Sequence, residues 1–264
     1  MLQQAARYRA GRADQAGQEI HKMILSDGQK RFFHDFGYLV LPGLLREEVP
    51  WIIEEFERVF REAGIVHDGT ARSSLGRFIE RSERLCTLLD HPGVDGLLSG
   101  LLGEDYNYLG SGGELYVGDG MWHPDCHGDP VVQVKWAMYL DPLTPETGAL
   151  RFVAGSHRQG WQGNLDTHVL WGLGMEEVPC VAPRNEPGDV VVFNQMTLHN
   201  ALGGGNRRRM LNMLACSSCR TETELAFLRR RLPADRSELR WDLMRRTATP
   251  ERMRHLEQPW QILA

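Results

Sequence analysis

The stretch GDVVVFNQMTLHN, residues 188–200, joins a Gly-Asp turn to an apolar, β-branched run and reaches His199 near its end. Valine and phenylalanine favour β-strands, and the Gly-Asp pair favours the turn that precedes one. Many short strands separated by such turns predict an antiparallel β-sandwich or barrel. Further runs of this kind lie between about residue 106 and residue 219: YNYLG, ELYVG, VVQVKWAMYL, ALRFVAG, VPCVAP and MLNMLACSS.

Helical patterns flank this β-rich region on both sides. Residues 47–64 carry an apolar stripe at helical spacing, and the tail from Thr221 onward is charged and helical in texture. We find no internal repeat and no linker that would divide the chain. The sequence therefore predicts one domain over residues 1–264, with a mainly β core at about 106–219 and helical N- and C-terminal segments.

Composition excludes several classes of protein. The chain has 264 residues, of which 42% are hydrophobic and 25% charged, and its formal net charge is −5. The arginine triplets at 207–209 and 229–231 are too short to follow nucleic-acid phosphates, and no apolar run approaches the roughly 20 residues of a membrane span. Residues 1–22 form a polar lead-in without the apolar core of a secretory signal. We expect a cytoplasmic monomer or homodimer that binds neither nucleic acid nor membrane, with its five scattered cysteines reduced.

A second short stretch, MWHPDCHGD at residues 121–129, is dense in metal-ligand side chains. His123 and Asp125 are two residues apart, so an extended strand points both side chains to one face. His199 at the end of a later strand supplies a third ligand. Two imidazoles and one carboxylate suit Fe(II) and leave three positions open, although zinc also accepts this set.

The other polar side chains of this stretch have simpler interpretations. His127 and Asp129 belong to HGDP, which is typical of the turn that leaves a strand, although they could extend the site. Cys126 lies between the two paired ligands and should point away from the metal. The arginines at 72–84 form a solvated face or bind an acidic group of a substrate.

The residues after His199 add a possible anion anchor. NALGGGNRRRML, residues 200–211, combines a glycine-rich turn with arginines at the start of an apolar strand. A guanidinium there can bind a carboxylate through two hydrogen bonds inside a barrel. Such an anchor is what the distal end of a dicarboxylate such as 2-oxoglutarate needs.

Taken together, these segments resemble the phytanoyl-CoA dioxygenase family, and the similarity runs from about residue 27 to residue 219. The resemblance implies a double-stranded β-helix, the jelly-roll core of cupin-like proteins, and dependence on Fe(II) and 2-oxoglutarate. It rests on WHPD at 122–125, WAMYLDPLTPETGALRFVAGSHRQG at 136–160, EPGDVVVFNQMTLHNALGGGNRRRML at 186–211 and the opening FHDFGYLVLPGLL at 33–45.

Carried over to matching positions, the resemblance makes His123, Asp125 and His199 the iron ligands. Arg208 would bind the distal carboxylate of 2-oxoglutarate, with Arg209 as the alternative because adjacent strand residues face opposite sides. Trp136 falls where the family has an aromatic residue beside the co-substrate, or else it is a core tryptophan.

Two departures from the family pattern lie near the site. Asn200 and Ala201 replace the usual Gly-Ser, and Ala154 replaces a proline. The first change removes a hydroxyl that could hydrogen-bond the co-substrate carboxylate. Asp125 itself is informative, because related halogenases have a small residue at that position.

The resemblance implies a dioxygenase that uses O₂ to hydroxylate an unactivated C–H bond of a small molecule, with release of succinate and CO₂. Natural-product metabolism is a natural setting. Desaturation, cyclisation and epimerisation use the same residues and remain open, as does a zinc-dependent cupin-like enzyme without 2-oxoglutarate. A flexible lid is expected over the site, at Gly110–Gly120 or Asn164–Met175.

Overall fold

The computed structural model describes residues 22–233 and 235–263, so most of the polar lead-in, residues 1–21, lies outside the described residues. Among the helices that are described, none is long and apolar enough to cross a membrane. The helices are α1 Asp27–Phe36, α2 Val49–Glu62, α3 Glu83–Cys86, α4 Pro92–Leu102, α5 Thr167–Trp171, α6 Glu222–Arg231, α7 Asp242–Arg246 and α8 Pro250–Ile262. The strands are β1 Tyr38–Leu41, β2 Ser73–Gly76, β3 Asn107–Tyr116, β4 Gln133–Tyr139, β5 Leu150–Phe152, β6 Val190–Asn194, β7 His199–Ala201 and β8 Arg208–Cys216.

Local sequence explains how the chain enters the sheet. The Ser26 hydroxyl accepts the Gln29 backbone N–H at 3.2 Å, and the Gln29 side chain accepts the Ser26 N–H at 2.9 Å. This reciprocal pair is a capping box that starts α1. The helix ends at Gly37, whose φ of 83° is a left-handed conformation that favours glycine. The chain therefore turns directly into β1.

The strands form two antiparallel layers. One layer has six strands in the order β1-β6-β4-β8-β3-β2, and the other pairs β5 with β7. Isolated bridges extend the smaller layer, joining His123 to His199 and Trp122 to Leu165. Except for β2 and β3, strands that lie side by side are not consecutive in sequence, as in a jelly roll. The predicted fold, a double-stranded β-helix with flanking helices, is confirmed.

The two faces of the six-stranded sheet bury different sets of side chains, because strand residues alternate between faces. On the outer face, Trp136 and Met138 of β4 join the large core that the N- and C-terminal helices cover. On the inner face, Ala137 and Tyr139 pack with Phe152 of the smaller sheet. Any polar residue that shares the inner face therefore points into the space between the two sheets.

One of the two predicted lid segments, residues 110–120, is strand over most of its length, and the prediction is wrong for that part. Gly110 to Tyr116 belong to β3 and pair with β8 along their length, so this stretch is part of the sheet. Close packing explains why this strand contains glycine at position 113, because a side chain there would overlap the Phe78 ring. The other segment, 164–175, lies at the edge of the smaller sheet and contains α5, whose Val169 is 78% exposed.

Candidate metal centre

The structure brings His123, Asp125 and His199 together, with one ligand atom from each residue lying within 4.8 Å of the others. His123 Nε2 lies 3.9 Å from Asp125 Oδ1, and His199 Nε2 lies 3.7 Å from Asp125 Oδ2. The backbones of His123 and His199 exchange hydrogen bonds of 3.2 and 3.1 Å, which aligns the two imidazoles. The strand pairing of a short loop with β7 thus assembles the group.

Backbone carbonyls set the tautomer of both histidines. His123 Nδ1 lies 2.7 Å from the Met121 carbonyl oxygen, and His199 Nδ1 lies 2.9 Å from the Thr197 carbonyl oxygen. A carbonyl can only accept, so each Nδ1 carries the proton. Both Nε2 atoms are therefore left with a free lone pair facing Asp125, which is the form that binds a metal.

The electrostatics keep His199 and Asp125 in their metal-binding protonation states. Burial lowers the pKa of His199 to about 4, so its imidazole is neutral at pH 7. Burial alone would raise the pKa of Asp125, but the neighbouring positive charge of Lys135 and the two imidazoles outweigh it and lower the pKa to about 2. A neutral His199 and an ionised Asp125 are ready ligands.

The loop that carries Asp125 is anchored from two distant elements. The backbone N–H groups of Asp125 and Cys126 donate to the Gln195 carbonyl oxygen at 2.7 and 3.2 Å. The side chain of Gln195 in turn accepts from Arg231 of α6 at 3.0 Å. The C-terminal helical segment thus contributes to the position of a candidate ligand, which no local sequence pattern indicated.

The remaining polar residues of the stretch 121–129 lie outside this cluster. His127 is exposed, and the Asp129 carboxylate accepts from the Gln133 amide at 2.5 Å. The same amide donates to Cys126 Sγ at 3.3 Å. The interpretation of this part as a turn leaving the strand fits their positions.

Arg208 points into the space between the sheets. Its side chain is 4% exposed, and its guanidinium lies 5.2 Å from the centre of the Tyr116 ring. Its Nε and Nη1 atoms are buried and have no hydrogen-bond partner among the described residues. Gly148 and Gly204 approach the guanidinium so closely that a side chain at either position would overlap it. The glycine-rich turn predicted after His199 thus makes room for Arg208.

Arg209 lies on the opposite face of β8, where it is already paired. Its guanidinium contacts Asp141 at 2.5 Å and Glu57 at 3.1 Å. These two carboxylates satisfy the charge of Arg209 and raise its pKa. Of the two arginines weighed from the sequence, only Arg208 has unpaired donors facing the interior.

Of the two roles weighed for Trp136, a place beside the co-substrate or a place in the core, its position fits the core. Trp136 is opposite Met213 and Val192 in the sheet register and packs in the outer core, fully buried. Its neighbour Lys135 takes the inner face instead, because adjacent strand residues alternate. Trp136 is a core residue.

Lys135 is the residue that the sequence arguments missed. Its Nζ lies 3.0 Å and 3.2 Å from the two carboxylate oxygens of Asp125. The signal was present, since a lysine in the mainly apolar run VVQVKWAMYL needs an acidic partner if its strand is buried. Only the register shows which carboxylate that partner is.

At the edge of the six-stranded sheet formed by β2 and β3, two further charged residues form an ion pair. Arg72, half-exposed, contacts the buried Glu114 carboxylate at 2.8 Å, and its guanidinium lies over the Tyr116 ring at 4.6 Å. Ser74 donates a second hydrogen bond to Glu114 at 3.0 Å. The predicted solvated arginine face therefore includes one member, Arg72, that is tied to the inner face of β3.

Comparison with known proteins gives consistent results. Residues 33–210 match the model of the family described as phytanoyl-CoA dioxygenase (PhyH). A curated relative, the dioxygenase lolE1 of Epichloe uncinata, is 37% identical over 62 residues, and the chain spans 23% of that relative's length.

Among solved structures, the non-heme alpha ketoglutarate dependent carbocyclase SnoK from nogalamycin biosynthesis superposes with a TM-score of 0.62 at 22% identity, covering 73% of this chain and 84% of that one. EctD from S. alaskensis, solved with 2-oxoglutarate and 5-hydroxyectoine, gives 0.61 at 21%, covering 73% and 76%. HygX from Streptomyces hygroscopicus, with nickel and 2-oxoglutarate bound, gives 0.61 at 17%, covering 76% and 90%. At these identities the similarity shows a shared fold.

Proposed function

The chain belongs to the phytanoyl-CoA dioxygenase family of Fe(II)- and 2-oxoglutarate-dependent oxygenases, and on that premise we propose that it hydroxylates an unactivated C–H bond of a small molecule. His123, Asp125 and His199 are the proposed iron ligands. Arg208 is the proposed anchor for the distal carboxylate of 2-oxoglutarate. Succinate and CO₂ are the expected co-products.

The observation that carries this proposal is the buried Arg208 guanidinium, which has no carboxylate partner among the described residues. A buried cation without a partner is costly, so a site that holds one is built for an anion. Its Nε and Nη1 have no partner among the described residues, whereas the adjacent Arg209 has two carboxylates. Burial and the nearby carboxylates of Glu114 and Asp125 raise the pKa of Tyr116 to about 12, while the positive charge of Arg208 acts on the same hydroxyl in the opposite direction. Because Tyr116 lies close to both Arg208 and Asp125, the proposed metal ligands and the proposed 2-oxoglutarate anchor belong to one cavity.

The donor set also fits Fe(II). Two neutral imidazoles and one carboxylate leave open positions for a chelating co-substrate and for dioxygen. When bound, Fe(II) and 2-oxoglutarate would supply the oxidising chemistry together with O₂, which is the oxidant: one of its oxygen atoms ends in succinate, formed with CO₂, and the other in the new hydroxyl group of the substrate. The chain itself binds and orients the reactants.

Each residue has a definable part in that arrangement. The Met121 and Thr197 carbonyls hold the Nδ1 protons of the two histidines, which keeps both Nε2 atoms directed at the metal position. Arg208 orients 2-oxoglutarate from its far end by a pair of charge-assisted hydrogen bonds. The inner-face side chains Tyr139 and Phe193, both buried, exclude water from the space between the sheets.

We place the reaction in natural-product metabolism. The relatives named above include a carbocyclase of nogalamycin biosynthesis, which supports a role in natural-product metabolism. The same fold and residues also accommodate cyclisation, desaturation or epimerisation, so the product must be identified directly. Hydroxylation is the outcome that we propose.

An anaerobic titration of the metal-free protein with Fe(II) and 2-oxoglutarate tests the proposal. We expect a weak visible charge-transfer band that requires both components, and succinate formation once O₂ and a substrate are added. The His123→Ala variant should lose the band, whereas His127→Ala, an exposed histidine of the same loop, should keep it.

Two results would overturn the proposal. A metal that binds tightly and is indifferent to 2-oxoglutarate would favour a zinc-dependent cupin-like enzyme instead. An unchanged band in His123→Ala would contradict the ligand assignment.

A further inference from the structure

Lys135 is an unusual residue in this chain. The sequence contains only three lysines, at positions 22, 30 and 135, beside many arginines. The side chain of Lys22 is 36% exposed and Lys30 is exposed, whereas the side chain of Lys135 is only 16% exposed. Lysines are rarely this buried unless the side chain has a partner for its ammonium group.

The surroundings of Lys135 contain one acidic partner. Its ammonium lies 3.0 and 3.2 Å from the two oxygens of Asp125, and no other carboxylate is within ion-pair distance among the described residues. The ring of Phe193 lies on another side, with its centre 5.9 Å from Nζ. The charge of Lys135 is thus balanced by the same carboxylate that we propose as a metal ligand.

Loading the site changes this balance, an argument that rests on the proposed function. Asp125 then shares its charge with the metal, and a divalent metal, Asp125 and the 1-carboxylate of 2-oxoglutarate sum to zero. Arg208 is balanced by the distal carboxylate, and Arg72 by Glu114. The ammonium of Lys135 is left as one unbalanced positive charge beside the metal.

We propose that Lys135 is a specificity-determining residue that binds a carboxylate next to the metal in the loaded site. This carboxylate belongs to the substrate or is the 1-carboxylate of 2-oxoglutarate. The charge count favours the substrate, because the metal already neutralises the 1-carboxylate. The enzyme then selects small molecules that carry a carboxylate close to the carbon that reacts.

The test uses the Co(II)-loaded full-length protein, whose visible spectrum reports on ligands near the metal. One arm titrates 2-oxoglutarate, and the second titrates acetate and its neutral analogue acetamide into the protein already holding Co(II) and 2-oxoglutarate. Wild type is compared with Lys135→Met, Lys135→Gln and the charge-preserving Lys135→Arg. Lys30→Met, the same substitution at an exposed lysine, is the matched control.

We expect the wild type to bind acetate more tightly than acetamide. Both neutral variants should lose about tenfold or more in acetate affinity, since a hydrogen bond to a charged group is lost, while Lys135→Arg and Lys30→Met keep it. Affinity for Co(II) should not fall in Lys135→Met, because a nearby ammonium repels the metal. A loss confined to acetate identifies the substrate as the source of the carboxylate, and a loss confined to 2-oxoglutarate identifies the co-substrate.

Three results would overturn the inference. In the first, wild type binds acetate and acetamide equally, and the neutral variants keep their 2-oxoglutarate affinity. In the second, the neutral variants keep wild-type affinity for both acetate and 2-oxoglutarate. In the third, the neutral variants and Lys135→Arg all lose Co(II) affinity to the same extent, which indicates a structural role. Failure of the proposed function looks different, because the wild-type Co(II) spectrum would then not respond to 2-oxoglutarate at all.

Discussion

Arg208 and Arg209 are adjacent on β8, yet their guanidinium groups lie on opposite sides of the six-stranded sheet. Arg208 is buried in the interior with unpaired donors, and Arg209 is paired with Asp141 and Glu57 on the outside. The alternation of strand residues makes this separation unavoidable. A one-residue shift in register would exchange the two, turning Arg209 away from its carboxylate partners and Arg208 away from the interior.

Substituting the two arginines separately should therefore give different defects. We expect Arg208→Met to weaken 2-oxoglutarate binding by about a hundredfold or more, because a buried, charge-assisted interaction is lost. Arg209→Met should retain 2-oxoglutarate affinity and lower the free energy of unfolding modestly. Titration of each Co(II)-loaded variant with 2-oxoglutarate, together with chemical denaturation, measures both effects. Equal loss of affinity in the two variants would contradict the assignment.

The glycine-rich turn before β8 offers a test that leaves every charged residue in place. A methyl group at Gly204 would overlap Arg208 Nη1 and lie 2.6 Å from the Gly118 carbonyl oxygen, whereas one at Gly205 meets nothing within 4 Å. We expect Gly204→Ala to displace the guanidinium and weaken 2-oxoglutarate binding, with Gly205→Ala close to wild type. The 2-oxoglutarate dissociation constants of the two folded variants decide this. A Gly204→Ala protein with wild-type affinity would show that the guanidinium position is not critical.

Stability of the metal-free protein should fall as the pH falls from about 6.5 to about 4. The pKa of His199 is lowered from 6.5 to about 4 by burial, so in this window the unfolded chain binds a proton that the folded chain does not. The stability that depends on this neutral histidine is present above pH 6.5, and its loss is on the order of 3 kcal/mol. Urea denaturation of wild type and His199→Asn across this range measures it. The difference between their unfolding free energies should shrink toward low pH; a difference independent of pH would contradict the expected pKa.

Substitutions of Trp136 and Tyr116 should affect different properties, because Trp136 lies in the outer core and Tyr116 lies beside Arg208. Trp136→Phe is expected to lower the free energy of unfolding by about 1–3 kcal/mol, because it leaves a gap in the outer core. It should not change 2-oxoglutarate affinity, since Trp136 faces away from the interior. Tyr116→Leu removes the ring beneath Arg208 and should weaken 2-oxoglutarate binding. Reversed effects in the affinity titration would restore Trp136 to the site.

Much of this protein could be predicted before its structure. Short apolar, β-branched runs separated by Gly and Pro turns were enough to predict an antiparallel sandwich or barrel, because such residues favour strands and such turns join neighbouring ones. The spacing of His123 and Asp125, with His199 after a later strand, was enough to predict a common metal group. Both inferences use short-range geometry that a sequence states directly.

The tertiary structure decided what lies around that group. Because neighbouring strand residues alternate, the sequence shows that Lys135 and Trp136 face opposite sides of the sheet, and that Arg208 and Arg209 do too. It does not show which residue of each pair faces the interior. Strand pairing across the sheet settles this, since it sets which side of each strand meets the smaller sheet and which meets the helices. For the same reason the Lys135–Asp125 contact, between residues on separate elements, could not be read from either stretch alone.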